Sequence, residues 1–111
     1  MDTTSLALLL AAGVMEVGFA TTLKMANGFT NPLPSVATLV FGAASLVFLG
    51  FALKTLPVGA TYSAWTGFGM AGTALVGVLV FGEKMTWQTA VGMLLIVAGV
   101  VMVNLVRGSH A

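Results

Sequence analysis

The stretch LLLAAGVMEVGFATTL, residues 8–23, decides the fold, because it places one carboxylate, Glu16, in the middle of an otherwise apolar run. A run of about 20 apolar residues is long enough to cross a bilayer as a helix. A charged side chain at the centre of such a helix costs on the order of 2.5 kcal/mol or more, so an ionisable residue there is functional by default. The stretch therefore predicts both a membrane span and a functional carboxyl group.

The composition of the chain also indicates a membrane protein. Hydrophobic residues make up 59% of the 111 residues and charged residues 6%, whereas about a quarter of the residues in a soluble domain are charged. Cysteine is absent, which excludes disulfides, thiolate metal sites and cysteine nucleophiles. A net charge of +1 without a basic cluster gives no electrostatic footprint for nucleic acid. We therefore expect an integral membrane protein with membrane lipid around it and no nucleic-acid partner.

Apolar runs of suitable length recur along the whole chain. The first lacks the positive n-region of a signal peptide and is followed by three more, so we expect it to be kept. The connections are short, and NGFTNPLP carries the turn residues that separate the first two runs. The pattern predicts an all-α integral membrane protein with one four-helix domain over residues 1–111. The predicted spans are residues 5–25, 35–55, 58–82 and 87–107.

Lysine and arginine do not favour either orientation in the membrane. Lys54 and Arg107 fall on one side of the predicted bundle, and Lys24 and Lys84 fall on the other, so the positive-inside rule gives no direction. One interpretation is that the topology is set by other means. The interpretation that we favour is that the chain inserts both ways and forms an antiparallel homodimer, because many transporters bind their substrate between two inverted halves.

The residues around Glu16 bear on two interpretations of its carboxyl group. It can be a protonated group that hydrogen-bonds between helices and holds them together. Alternatively, it can bind a proton or an organic cation in competition, which is the minimum requirement for proton-coupled antiport. Ala12, Gly13 and Ala20 lie three or four residues away and form a small surface that a helix or a ligand can approach, and Phe19 adds an aromatic edge. We favour the second interpretation.

Aromatic and hydroxyl side chains in the other spans are candidate partners for a cation. Tyr62 and Trp65 lie three residues apart on one helix face, where their rings can attract a cation. An aromatic belt at the membrane surface explains the same pair equally well. Ser45 can hydrogen-bond a carboxylate or its own helix backbone. Trp87 opens the fourth span and is interpreted as a belt residue.

Glycines in the third and fourth spans indicate sites of bending and close packing. GFGMAG, residues 67–72, matches the dinucleotide-binding fingerprint, but no strand precedes it, so we reject nucleotide binding. Gly67 and Gly69 are expected instead to form a hinge beside the aromatic pair. Gly92 and Gly99 lie seven residues apart on one face, which predicts a dimerisation contact.

The sequence offers no set of residues for catalysis. The acids are Asp2, Glu16 and Glu83, and the single histidine is His110. They form no nucleophile–base pair, metal cluster or phosphate loop, so we predict neither an enzyme nor a cofactor. A passive cation channel and a structural or accessory membrane subunit remain as alternatives. A channel usually has a ring of polar pore-lining residues, whereas this chain has a single buried carboxylate.

Three segments resemble the small multidrug resistance family, and together they extend over nearly the whole chain. They are EVGFATTLKMANGFT, KTLPVGATYSAWTGFGMAGTALVG and GMLLIVAGV. The resemblance implies an antiparallel, dual-topology homodimer in the cytoplasmic (inner) membrane that exports organic cations in exchange for protons, with Glu16 binding both. By position it also implies site-lining roles for Gly13 and Ser45, aromatic walls at Tyr62 and Trp65, a hinge at Gly67 and Gly69, and dimerisation through residues 92–100.

Two branches of that family are represented in the motifs. KTLPVG, WTGFGMAG and Ser45 resemble the guanidinium-exporting branch, but Phe19 stands where that branch usually has tryptophan. Asn104, where the guanidinium branch often has lysine, is more similar to the branch that exports quaternary ammonium and other hydrophobic cations. We therefore expect an exporter of both quaternary ammonium compounds and substituted guanidiniums. A selective guanidinium exporter is the alternative.

Overall fold

The computed structural model describes residues 3–110 of the chain, with side chains described for residues 3–105. Within these residues the chain forms four α-helices, so the all-α prediction is confirmed there. The helices, in chain order, are α1 (Thr3–Met25), α2 (Pro32–Ala52), α3 (Val58–Leu79) and α4 (Trp87–His110). Asp2 and Ala111 lie outside the described residues.

Several helix ends differ from the predicted spans by two or three residues, and two of these differences have local reasons. α2 begins at Pro32, three residues before the predicted start, because a proline in the first turn loses no helical hydrogen bond. α3 ends at Leu79, three residues before the predicted end, because the chain turns sharply at Gly82, which has a φ of 66°. Both differences come from turn chemistry that an apolar run does not reveal.

Three helices in the described part of the chain are long and apolar enough to cross a membrane. They are α1, α2 and residues 87–105 of α4. α3 does not reach the same mean hydropathy, because glycine, serine, threonine and tyrosine interrupt its aliphatic residues. For α3 the transmembrane assignment stays a prediction.

Contacts between α1 and α2 depend on two glycines that accept aromatic rings. The ring of Phe41 on α2 lies against Gly18 of α1, and the ring of Phe19 on α1 lies against Gly42 of α2. A Cβ on Gly18 would lie 2.9 Å from Cδ1 of Phe41, closer than packed carbon atoms approach. Each helix therefore packs an aromatic ring against a glycine of the other.

Hydrogen bonds between hydroxyl groups join α1 to α2 at one end and to the connection after α2 at the other. Thr38 donates to Thr22 over 2.9 Å, and Ser5 is hydrogen-bonded to Thr55. Between them a small apolar core is buried, formed by Leu9, Ala12, Leu49, Ala52 and Leu56. These pairs add specific polar contacts between α1 and the chain from Thr38 to Thr55.

The connection between α1 and α2 is a left-handed turn. Asn27, Gly28 and Phe29 have φ angles of 48°, 68° and 66°, a region that residues other than glycine, asparagine and aspartate rarely adopt. The carbonyl of buried Ala26 accepts hydrogen bonds from the backbone N–H groups of Thr30 and Asn31. This turn reverses the chain within a few residues and brings α2 back along α1.

α4 is the outermost helix of the fold. It packs against α3, and every one of its described side chains is at least partly exposed. A Cβ on Gly92 or Gly99 would meet no atom within 4 Å, so the face that carries these glycines is open. A helix with so much apolar surface needs lipid or another protein chain to cover it.

Gly67 is predicted to determine how closely α4 approaches α3. A Cβ at this position would lie 2.8 Å from Cγ2 of Val100 on α4. We expect Gly67→Ala to destabilise the protein by about 1–3 kcal/mol in detergent unfolding followed by circular dichroism, because it overpacks this contact. Gly50→Ala is the control, since that helical glycine faces open space.

The double variant Gly67→Ala with Val100→Ala distinguishes overpacking from other effects. Removing the two methyl groups of Val100 makes room for the added Cβ, so most of the lost stability is expected to return. No recovery in the double variant would contradict this explanation of Gly67.

Candidate functional site

Glu16 lies on the inner side of α1, where one of its carboxylate oxygens is buried. Oε1 has no hydrogen-bond partner among the described residues. The carboxylate lies directly against Gly69 of α3, and a Cβ on that glycine would overlap it. A larger residue at this position would therefore displace the carboxylate.

Beside this carboxylate is a cavity of about 250 Å³. Three helices contribute to it, and its lining consists of Glu16, Phe19, Gly42, Ser45, Leu46 and Trp65. Drug-sized ligands usually occupy pockets of about 300–1,000 Å³. The cavity of one chain therefore suits a small organic ion or one part of a larger ion.

Ser45 connects the three helices that surround the cavity. Its hydroxyl group donates a hydrogen bond of 2.7 Å to the backbone carbonyl of Ala12 on α1. It accepts a hydrogen bond of 3.0 Å from the indole Nε1–H of Trp65 on α3. These partners differ from the two considered from the sequence, which were a carboxylate and the backbone of its own helix. The serine thus fixes the indole ring at the wall of the cavity.

Four of the residues predicted from the sequence meet at this cavity: Glu16, Phe19, Ser45 and Trp65. Tyr62 contacts the Trp65 ring edge-on, with ring centroids 5.1 Å apart and an interplanar angle of 63°. Its side chain is 51% exposed and is not part of the cavity lining in one chain. Tyr62 therefore supports Trp65 from outside the cavity.

The glycine predicted to line the site and the two glycines predicted to form a hinge all lie at contacts between helices. Gly13 is buried beneath the ring of Phe68, away from the cavity lining. α3 is helical without interruption through Gly67 and Gly69, which contact Val100 and Glu16 respectively. In the described structure all three are close-packing positions between helices.

Asn104 lies at the contact between α4 and α3 rather than at the cavity. Its amide nitrogen donates to the carbonyl of Val100 over 2.9 Å and to that of Ala60 over 3.4 Å. A substitution at this position would act on the α3–α4 contact first. The residue that differs between the family branches, Asn104, is therefore not part of the cavity lining beside Glu16.

Gly42 and Leu46 line the cavity but were missed from the sequence. Gly42 lies three residues before Ser45, so the helical repeat places both on one face of α2, and this spacing was a usable signal. Leu46 is one apolar residue among many on α2, and its sequence context carries no comparable signal.

The chemistry available to the cavity depends on one ionisable side chain. Glu16 is the titratable residue in its described lining, and the remaining lining is aromatic, aliphatic or hydroxyl in character. A buried carboxylate without a partner is costly, so it is stabilised either by a proton or by a bound cation. Within the described part of the chain, no three metal-ligating side chains come close enough to hold a metal ion.

Comparisons with known proteins agree with the resemblance seen in the sequence. The model of the small multidrug resistance protein family matches residues 4–96, which include every residue that lines the cavity. The chain is similar to the multidrug resistance protein EbrB of Bacillus licheniformis, with 43% identity over 103 residues, 93% of this chain and 87% of that protein.

Guanidinium exporters are similar to nearly the same degree. The guanidinium exporter of Yersinia pseudotuberculosis is 41% identical over 98 residues, covering 88% of this chain and 94% of that protein. That of Salmonella typhimurium is 41% identical over 97 residues, covering 87% of this chain and 92% of that protein. Overall identity therefore does not separate the two kinds of relative.

Gly69→Ala is predicted to disable the site without removing any of its functional groups. The added methyl group displaces the Glu16 carboxylate. An overpacking cost of about 1–3 kcal/mol corresponds to cation binding weakened by about 5- to 150-fold, measured by titrating a tetraalkylammonium ion into purified protein. Gly59→Ala is the matched control, because its Cβ would face open space on the same helix.

Shortening the acid tests whether this steric clash is the cause. Glu16→Asp withdraws the carboxylate from position 69, so the double variant with Gly69→Ala is expected to bind better than Gly69→Ala alone. Equal binding by Gly69→Ala and the unmodified protein would show that the carboxylate does not depend on this glycine.

Proposed function

Because the chain belongs to the small multidrug resistance family, we propose that it is a proton-coupled antiporter that exports organic cations. The family consists of multi-pass membrane exporters rather than enzymes. The proposed substrates are quaternary ammonium compounds and substituted guanidiniums, and the proposed location is the cytoplasmic (inner) membrane. The observation that carries the proposal is the buried, unpartnered carboxylate oxygen of Glu16 at the edge of a mostly apolar cavity.

Competition for one carboxylate is the proposed mechanism of coupling. An ionised Glu16 attracts the organic cation into the cavity, where the low polarity of the walls strengthens the attraction. A proton that binds to the carboxylate removes the charge and releases the cation. If the carrier changes its open side readily with either ligand bound and poorly without one, proton entry drives cation export.

The wall of the cavity favours broad rather than narrow recognition. The Ser45 hydroxyl hydrogen is directed to the Ala12 carbonyl, so it is not available to a ligand. Trp65 offers a ring face, which attracts any cation by its charge. Apart from the carboxylate, few lining groups in the described chain can form hydrogen bonds with a substrate. A site of this kind discriminates poorly against bulk attached to the cation.

The unpartnered face of α4 supports the proposed antiparallel homodimer. This face is apolar and open at Gly92 and Gly99, where a second helix can approach closely. The cavity of one chain is small, and a second chain would enlarge it and bring a second Glu16 to the site. The even distribution of lysine and arginine is compatible with insertion in both orientations.

Gly67 and Gly69 remain the proposed hinge of the transport cycle. One glycine contacts α4 through Val100, and the other contacts the carboxylate that binds the cation. A bend of α3 between them would change both contacts together. Movement of the site would thereby be linked to movement of the outer helix.

A selective guanidinium exporter is the second candidate. It is supported by the 41% identity to guanidinium exporters, which is close to the 43% identity to EbrB. The fixed Ser45 hydroxyl and the apolar lining argue for the broader substrate range. Direct comparison of the two ion classes distinguishes the candidates.

The deciding experiment is to measure proton release from purified protein when guanidinium or a tetraalkylammonium ion is added. Both ions are expected to release protons from the unmodified protein, and neither is expected to do so from Glu16→Gln, which has no proton to exchange. Ser63→Ala is a control outside the cavity lining. Release with guanidinium alone would support the second candidate, and no release with either ion would overturn coupled antiport.

Phe19→Trp is predicted to shift preference toward small guanidinium ions. The ring of Phe19 lines the cavity and already contacts Gly42, so a larger indole reduces the space left for bulky substituents. The measurement is the ratio of transport rates for guanidinium and tetrapropylammonium in proteoliposomes. Phe41→Trp is the matched control, because that ring packs on Gly18 outside the cavity lining. An equal shift in both variants would mean that position 19 acts through general packing.

A further inference from the structure

A second cavity, of about 200 Å³, lies in the groove between α1 and α3. Its lining differs from that of the first cavity, because it combines two hydroxyl groups with two charged side chains. These are Thr21 and Lys24 of α1, Thr73 of α3, and Glu83 of the connection that follows α3. None of them belongs to the first cavity. The groove therefore contains a separate polar space.

The helical repeat places this space in line with the functional carboxylate. Gly69, Thr73 and Gly77 lie four residues apart and share one face of α3. Glu16 lies against the first of them, and the carboxylate of Glu83 lies against the last. At 1.5 Å per residue, Thr73 is about 6 Å along the helix from Gly69, and Gly77 is about 12 Å along it. Thr73 therefore lies midway between two carboxylates.

The end of α3 folds in a way that places Glu83 over this groove. Gly82 adopts a φ of 66°, and the backbone N–H of Glu83 donates to the carbonyl of Gly77 over 3.0 Å. This bond spans six residues, one more than the 6→1 bond of the Schellman motif, and with the left-handed glycine it turns the chain back over the end of α3. Glu83 is an exposed residue, so its carboxylate connects the groove with the aqueous phase.

We propose that this second cavity carries protons between the aqueous phase at Glu83 and the carboxyl group of Glu16, while the organic cation reaches Glu16 from the first cavity. The proposal rests on the proposed antiport function and adds to it that the two competing ligands use different routes. Glu83 and Thr73 are then positioning residues for the proton, and the organic cation does not contact them.

The size and lining of the second cavity suit a chain of water molecules. Because each water takes up about 30 Å³ in the liquid, a cavity of this volume accommodates several. Thr21 donates its hydroxyl hydrogen to the carbonyl of Val17 over 2.8 Å, which leaves its oxygen free to accept from water. A proton leaving Glu16 passes to the first water, each water passes one proton on, and the last proton goes to bulk water beside Glu83.

The same groove is unsuitable for an organic cation. Val17 packs onto Gly72 beside Glu16 without room for even a Cβ, so an organic cation has no space to pass there. The titratable groups along this groove are Glu16 and Lys24 on α1 and Glu83 after α3. α3 itself contributes residues that do not titrate there, namely Gly69, Thr73 and Gly77.

Cysteine labelling tests whether the two routes are separate, and the chain is suited to it because it has no cysteine. Thr73→Cys and Leu46→Cys place one thiol in each cavity, and Thr66→Cys places one on an exposed part of α3 as a control. We expect a small methanethiosulfonate reagent to modify Thr73→Cys at the same rate with and without saturating tetrapropylammonium. Modification of Leu46→Cys is expected to be slowed by the bound ion. Equal protection of both thiols, or no reaction of Thr73→Cys, would overturn the proposal.

Stopped-flow measurement of proton release tests the function of the route. We expect Thr73→Val, which keeps the side-chain shape but removes the hydroxyl, to release as many protons as the unmodified protein but about tenfold more slowly. This is less than the ~10²-fold typical of a positioned acid or base, because water still occupies part of the cavity. Thr66→Val is the matched control. An unchanged rate would contradict the separate route, whereas absence of release from the unmodified protein would contradict the antiport function itself.

Discussion

The structure depends on one close approach, in which the carboxylate of Glu16 lies against the backbone of α3 at Gly69. A charged group inside a bilayer is tolerated when protein or water surrounds it. Here the surrounding protein is a helix that has no side chain at the point of contact. The same approach brings α1 and α3 together along Gly72, where Val17 packs. The candidate functional group of the chain is thus also a part of its helix packing.

Around this contact, polar side chains form hydrogen bonds that hold the helices together, and apolar side chains form most of the cavity wall. Ser45 joins α1, α2 and α3 through two hydrogen bonds and holds Trp65 in place. Phe19 and Gly42 complete the wall on the side of α2. Because the hydroxyl groups are used within the protein, the carboxylate is left as the group that a ligand can neutralise. In the proposed binding site, few polar residues besides Glu16 are therefore needed.

The long apolar runs and the isolated carboxylate were enough to predict the helical fold and to select Glu16 as the candidate functional residue. The sequence also indicated Phe19, Ser45 and Trp65, which line the cavity with Glu16. It did not indicate that Gly13 is covered by Phe68, because which glycine faces a ring depends on the rotation of α1 relative to α3. The partners of Ser45 were missed for a similar reason, since a serine in a helix has several local acceptors and its distant ones follow from packing. Helix rotation is a property of the assembled bundle and is not encoded in any single span.

The outer position of α4 has a consequence for the order in which the chain gains stability. α1, α2 and α3 are cross-linked by side-chain hydrogen bonds, whereas α4 is attached through Val100 at Gly67 and through the amide of Asn104. Parts of a protein with few buried contacts open with a lower free energy than its core. We therefore expect the first three helices to unfold as one cooperative unit and α4 to open separately at a lower free energy. In an isolated chain its backbone amides are then expected to exchange hydrogen first, and a surface that covers α4 is expected to slow that exchange.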